Sequence, residues 1–317
     1  MAKRHHYVPV TYLKGFTHND GKLLVYRKDE PDKPFRQQPK ATGFERYYYS
    51  QIAEDGTRDD DRFEQLFSEV ESRYPNIVAA LERREATFPD APHLITFVSL
   101  MRVRGPGFRD MVELERANTV KTTLQAMVET GKIDPPPCEL SLDDIVVSID
   151  PHQSLLAMAT ALSAIGELLQ GLHFDVLHNA TAMPFLTSDN PVIYFDPNKT
   201  ELQIQPYNLN AEGRIELLFP ISPNMLLRGR RKPVRANIGH RNISDLKFIN
   251  RTNRLICRFG YKTVFASRPG FDHLISSNAA HSPVPRFDEI PDGNGGVINF
   301  VQMIFGPRPD KAKWVIR

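Results

Sequence analysis

The hydrophobic period of this chain changes near Gly171, and few architectures accommodate such a change. Before that point apolar residues recur at helical spacing; after it they form short runs broken by turn residues. Phe63, Phe67, Val70 and Tyr74 fall at i, i+4, i+7 and i+11, one stripe of a helix whose start is charged by Asp59, Asp60 and Asp61. Pro75 kinks or restarts that helix. A second helix, from about Pro92 to Arg104, is apolar nearly all round and therefore buried, and Gly105-Pro106-Gly107 breaks it. A third runs from about Phe108 to Thr130. Pro135-Pro136-Pro137 makes a linker, and a fourth helix follows with Asp150 as N-cap, Pro151 in its first turn and Gly171 past its end.

The later runs are Phe174 to Leu177, Phe185 to Ser188, Val192 to Phe195, Leu202 to Gln205, Ile215 to Phe219 and Met225 to Leu227, each read as a short strand. A helix from about Ser244 to Phe259 comes next, and strands near Thr263 to Ala266 and Val297 to Ile304 close the chain. Earlier, Lys22 to Arg27 forms a strand before a Pro31/Pro34 loop, and Arg46 to Ser50 a second one. Helices first and strands later argue for α+β rather than a wound parallel sheet. The expected architecture is a mostly helical amino-terminal half with a small β element, then a mainly antiparallel sheet with a basic helix. The prolines divide it into residues 1–134 and 138–317, either two regions or one integrated domain.

With 317 residues, 41% apolar and 25% charged, the chain can bury a sizeable core. Met1-Ala-Lys-Arg lacks the apolar stretch of a signal peptide, and Leu155 to Leu169 is too short to span a bilayer. Cys138 and Cys257 match no metal or redox spacing. A cytoplasmic protein with free thiols and no membrane association is expected.

The net charge of +2 conceals an asymmetry. Residues 228–262 hold eleven cations against Asp245, among them Arg228, Arg230, Arg231, Lys232, Arg235, Arg251 and Arg254. Residues 54–71 lean the other way, with Glu54, Glu64 and Glu71 among eight acids. A basic face concentrates polyanions such as nucleic acid. Alternatively, the two regions face each other as a salt-bridged seam, or the basic run is simply solvated.

Lys3, Arg4, His5 and His6 set two imidazoles, the side chains that exchange protons near neutral pH, beside cations that would favour an anion. They could serve as general acid or base on a phosphate ester or as metal ligands, or pack as an amino-terminal anchor. Thr187-Ser188-Asp189-Asn190-Pro191 follows a strand-like run, so Asp189 could act as base, metal ligand or orienting partner of a histidine; Ser, Asp, Asn and Pro are also ordinary turn formers. Ser188 lacks the glycines of a nucleophile elbow. Arg104, on an apolar helix face, needs a partner: a ligand phosphate beside Glu64 and Glu71, or a plain Arg–Glu bridge. Asn250 and Asn253 share a helical face with Leu246, Ile249 and Cys257, suited to a ligand or to neighbouring backbone. Phosphate-loop, dinucleotide, zinc-protease and EF-hand patterns do not occur, so no nucleotide cofactor is expected, while a divalent metal stays possible.

Five segments, Lys3-Arg4-His5-His6-Tyr7-Val8-Pro9, Tyr12-Leu13-Lys14-Gly15-Phe16, Arg104-Gly105-Pro106, Thr187 to Pro191 and Phe219-Pro220-Ile221-Ser222-Pro223, resemble the bacterial domain of unknown function 4238. Val10 stands where that pattern commonly has glutamine. The resemblance implies a bacterial or phage cytoplasmic protein and no particular activity. The expectation from the residues is a phosphodiester-cleaving, nuclease-like hydrolase of toxin or anti-phage type. His5 or His6 would be the acid or base, Asp189 its partner, Arg104 the phosphate clamp and the basic run the nucleic-acid surface. The alternatives are a non-catalytic binder of nucleic acid or an acidic partner, and an enzyme for a small phosphorylated or carboxylated metabolite. A protein partner or homo-oligomer is compatible with each.

Overall fold

The computed structural model describes residues 3–52, 55–85, 87, 89–137, 140–208, 213–231, 237–291 and 297–312. Glu54, Cys138, Lys232 and Arg235, named above, lie outside them. The chain opens with β1 (Arg4–His6), α1 (Val10–Lys14), β2 (Leu23–Arg27), β3 (Glu30–Gln37) and β4 (Phe44–Arg46). β5 (Gln51–Ile52) and β6 (Arg58–Asp59) precede α2 (Arg62–Ser72), α3 (Tyr74–Glu82), α4 (Ala91–Val103), α5 (Pro106–Glu129) and α6 (His152–Gln170). Then come β7 (His173–Asn179), β8 (Thr187–Ser188), β9 (Ile193–Phe195), β10 (Glu216–Ser222), β11 (Met225–Arg230) and β12 (Gly239–Ile243). α7 (Leu246–Phe259), β13 (Thr263–Ala266), α8 (Asp272–Ala279), β14 (Ser282–Pro291) and β15 (Val297–Gly306) complete it.

The fold is α+β. A five-stranded sheet in the order β12-β7-β11-β10-β9 is antiparallel except for the parallel β12–β7 pair, and a four-stranded sheet runs β3-β2-β13-β8. Alternation along the central strands explains the layering, because neighbouring side chains point to opposite faces. Leu217, Phe219 and Ile221 of β10, with Met225 and Leu227 of β11, join one core cluster with Phe97 and Val98 of α4, Leu155 of α6 and Tyr12 of α1. Leu218 and Leu226 point the other way, into a second cluster with Ile249, Ile256 and Phe259 of α7 and Val264 of β13. Both faces are covered, so these strands read as unbroken apolar runs. The first cluster draws side chains from both sides of the proline segment.

Local chemistry accounts for most departures from expectation. Asp59, the last residue of β6, leads into α2: its Oδ1 accepts from the backbone N–H of Asp61 (2.9 Å) and Arg62 (3.1 Å). Pro31 and Pro34 sit within β3, not a loop, because an edge strand tolerates missing N–H donors. Tyr47, Tyr48 and Tyr49 form a turn with Tyr47 at φ 59°, so the strand expected over Arg46 to Ser50 is a turn and only Arg46 lies in a strand, β4. Leu202 to Gln205 is turn and coil as well. α8, β12 and β14 are additional to the elements that the sequence pattern predicts; β12, Gly-His-Arg-Asn-Ile, has no apolar alternation to reveal it.

Candidate functional site: a buried knot and an open cleft

The five motif segments converge in the interior. Tyr12 of α1 donates its hydroxyl to the Pro220 carbonyl (2.7 Å) and lies 2.6 Å from Thr187 Oγ1, which ties three of them together. Arg104, at the end of α4, is 1% exposed. Its Nη1 donates to Glu71 Oε1 (2.7 Å), its Nη2 to the His6 carbonyl (2.5 Å), and its guanidinium lies over the Phe67 ring. Behind it, a Cβ on Gly105 would stand 2.8 Å from the Asp189 carbonyl oxygen, so only glycine permits that approach. The Arg–Glu bridge is thus realised through Glu71. Glu64 keeps its carboxyl above the usual range through burial, with no ion pair to it among the described residues.

Asp189, expected in catalysis, is instead an interior brace. Its Oδ1 accepts from Tyr261 N–H (2.7 Å) and its Oδ2 from the N–H groups of Lys262 (2.7 Å) and Thr263 (3.2 Å), so the carboxylate holds the turn between α7 and β13. Burial raises its pKa, against the pull of the Lys262 and Tyr261 amides. Ser188 Oγ accepts from Asn190 N–H, and Asn190 Nδ2 donates to the Phe259 carbonyl and the Tyr207 hydroxyl. The motif's polar side chains are therefore engaged in turn construction.

His5 is fully buried. Its Nδ1 accepts from Tyr49 N–H (2.8 Å), and its ring stacks on Tyr49. Nε2 lies toward the Asp60 backbone without closing a hydrogen bond of normal geometry. His6 is half-buried, tilted against Phe44, with Nε2 3.3 Å from the Lys40 carbonyl. Burial lowers the pKa of both rings, and each is a packed anchor. Lys3 pairs with Asp61, and Arg4 lies 4.9 Å over Phe44.

The basic run is also largely committed. Arg228 pairs with Glu216, Arg230 and Arg241 with Asp175, and Arg251 and Arg254 with Glu201. The acids that pair with it are thus Glu216, Asp175 and Glu201, not those of the 54–71 segment. Arg231 and Lys247 are exposed. Asn253 bridges Leu186 N–H and the Pro184 carbonyl, while Asn250 is half-buried on α7. Cys257 is a buried free thiol whose pKa burial pushes up to about 12.

A cleft of about 720 Å³ opens elsewhere, between the tyrosine turn, the start of α5, the start of α6, Lys262 and Lys311. Its size suits a small organic ligand. Five cations line it (Arg46, Arg58, Arg109, Lys262 and Lys311) against the carboxylates Glu45, Asp110, Glu113 and Asp150. Arg109 donates to Ser154 Oγ (2.9 Å) and to the carbonyls of Pro151 (3.1 Å) and Tyr48, and lies over the Tyr48 ring. Lys311 Nζ bridges Asp110 Oδ1 (2.6 Å) and Glu113 Oε2 (2.5 Å); burial opposes its charge, but the two carboxylates hold its pKa above the usual lysine value. His152 places Nε2 3.1 Å from the Ser50 carbonyl and Nδ1 3.7 Å from Asp150 Oδ1. Arg58 pairs with Asp60 and stacks on Tyr47. Lys262 and Arg46 form no ion pair among the described residues.

Of these cleft residues, sequence reasoning singled out only Lys262 for binding, as the last cation of the basic run and not as part of a cleft. Arg109, Asp110 and Glu113 lie within an ordinary mixed helix, and only folding brings them to His152 and Lys262. Among the described residues, no group of three or more His, Cys, Asp or Glu side chains is placed to hold a metal ion, and no helix is long and apolar enough to cross a membrane.

The family model described as protein of unknown function, DUF4238, matches residues 4–270, and the chain belongs to that family. Neither the curated proteins nor the solved structures provide a match.

Proposed function

We propose that this protein binds a small phosphate- or carboxylate-bearing molecule in the cleft between the tyrosine turn, α5 and α6. The observation that carries this reading is a cavity of ligand size with two cations, Lys262 and Arg46, that form no ion pair among the described residues. Of the other charges, Lys311 answers Asp110 and Glu113 and Arg58 answers Asp60, while Glu45 forms no ion pair among the described residues. An arriving anion would therefore meet Lys262 and Arg46 first. His152 is the imidazole of the cleft wall and the group that would move a proton if the ligand is turned over.

Titration calorimetry with pyrophosphate, citrate and a mononucleotide is the test. At least one should bind, and Lys262→Glu combined with Arg46→Glu should weaken it at least tenfold at unchanged melting temperature. Absence of binding by all three defeats the reading. Cleavage of labelled RNA or DNA that survives the double substitution would move the function to another surface.

A further inference from the structure

After β15, residues 307–312 reach this cleft through Lys311 and, among the described residues, are held by side chains alone. No backbone–backbone hydrogen bond holds residues 307–312 among the described residues. Arg308 Nη1 donates to the Tyr261 carbonyl (2.8 Å), and Lys311 Nζ reaches Asp110 and Glu113. The receiving carboxylates are fixed in advance. Tyr261 donates its hydroxyl to Asp110 Oδ2 (2.9 Å), and Glu113 Oε1 lies 3.2 Å from the Ser154 hydroxyl, which also reaches the Pro151 carbonyl (2.7 Å), and 3.9 Å from Arg109 Nη2. Each acid therefore turns its remaining oxygen toward one ammonium. The acceptors are rigid, on helix α5, while the donor sits on an unpaired strand of backbone that can peel away without breaking secondary structure. Lys311 also shares the cleft wall with Lys262.

We propose that residues 307–312 are an electrostatic strap that restricts access to the cleft, latched by Lys311 on Asp110 and Glu113 and released when that contact opens. Its competition with ligand rests on the binding reading above; its control of access does not. Loss of the Lys311 charge frees the strap and widens access along the wall that Lys311 shares with Lys262.

Acetylation of Lys262 by an amine-reactive ester, followed by mass spectrometry, measures this directly. Lys311→Gln should accelerate it several-fold, with exposed Lys247 acetylated at the same rate in both proteins, and Lys311→Arg should restore the slow rate. An unchanged Lys262 rate in Lys311→Gln overturns the strap. If that variant fails to fold, Asp110→Asn removes one arm of the latch, and the same comparison decides. Pyrophosphate binding to both proteins is the separate readout, because Lys311→Gln also leaves Asp110 and Glu113 in the cleft without their cation. If pyrophosphate binds neither protein while acetylation accelerates, the binding reading falls and the strap stands. If it binds both equally and acetylation is unchanged, the strap falls and the binding reading stands.

Discussion

The motif knot and the open cleft use the same residue types for opposite ends. In the knot, Asp189, Arg104 and Tyr12 have backbone or ion-pair partners at close range and no open surface. In the cleft, Lys262 and Arg46 stand at a wall without an ion pair among the described residues. Polar residues that are fully hydrogen-bonded in the interior specify one arrangement of the chain. Polar residues left without partners at an opening are available to something else. The difference lies in the partners, since the amino acids are alike.

The largest effect that could break this comparison is at Asp189. Asp189→Ala leaves three buried N–H groups without acceptors and should lower stability by about 3–5 kcal/mol in denaturant unfolding. A loss under about 1 kcal/mol would mean that the carboxylate is not the brace described. Tyr12→Phe should cost less, about 1–3 kcal/mol, because it unpairs the Thr187 hydroxyl and the Pro220 carbonyl together.

The histidines give a pH signature of smaller size. Burial holds His5 and His6 below the ordinary imidazole pKa of 6.5, helped by Lys3 and Arg58 at His5 and by Arg104 at His6. The folded rings resist protonation while the unfolded chain takes up protons, so the unfolded state binds more protons below that value. Stability from this source is fully present above pH 6.5 and declines as pH falls through it. His5→Gln should flatten the decline in melting temperature between neutral and mildly acidic buffer. An unchanged slope would place the acid sensitivity elsewhere. At the far end of the scale, Lys262→Glu should change stability by no more than about 0.5 kcal/mol, as befits a surface charge outside the packing.

Much of the frame was legible in the sequence because burial leaves a periodic trace. The stripe of Phe67 and Tyr74, the apolar α4 and the strand runs around Phe219 all reappear as core. The five motif segments were legible too, but their role was not. Asp189 in a Thr-Ser-Asp-Asn-Pro turn looks the same whether its carboxylate faces a substrate or three backbone amides. β12, rich in polar residues and opened by glycine, left no trace, since its partner β7 supplies the reason for its extension.

What the amino-acid order determined by itself was class and local form: helices where apolar residues recur about every 3.6 positions, strands where they come in short runs, and breaks at prolines and glycines. Tertiary structure alone decided which charges are spent. Arg228 and Lys262 belong to one basic run, yet the first meets Glu216 while the second meets an open cleft. Charge pairing is a matter of distance in space, and residues far apart in the chain acquire that distance only when the layers close.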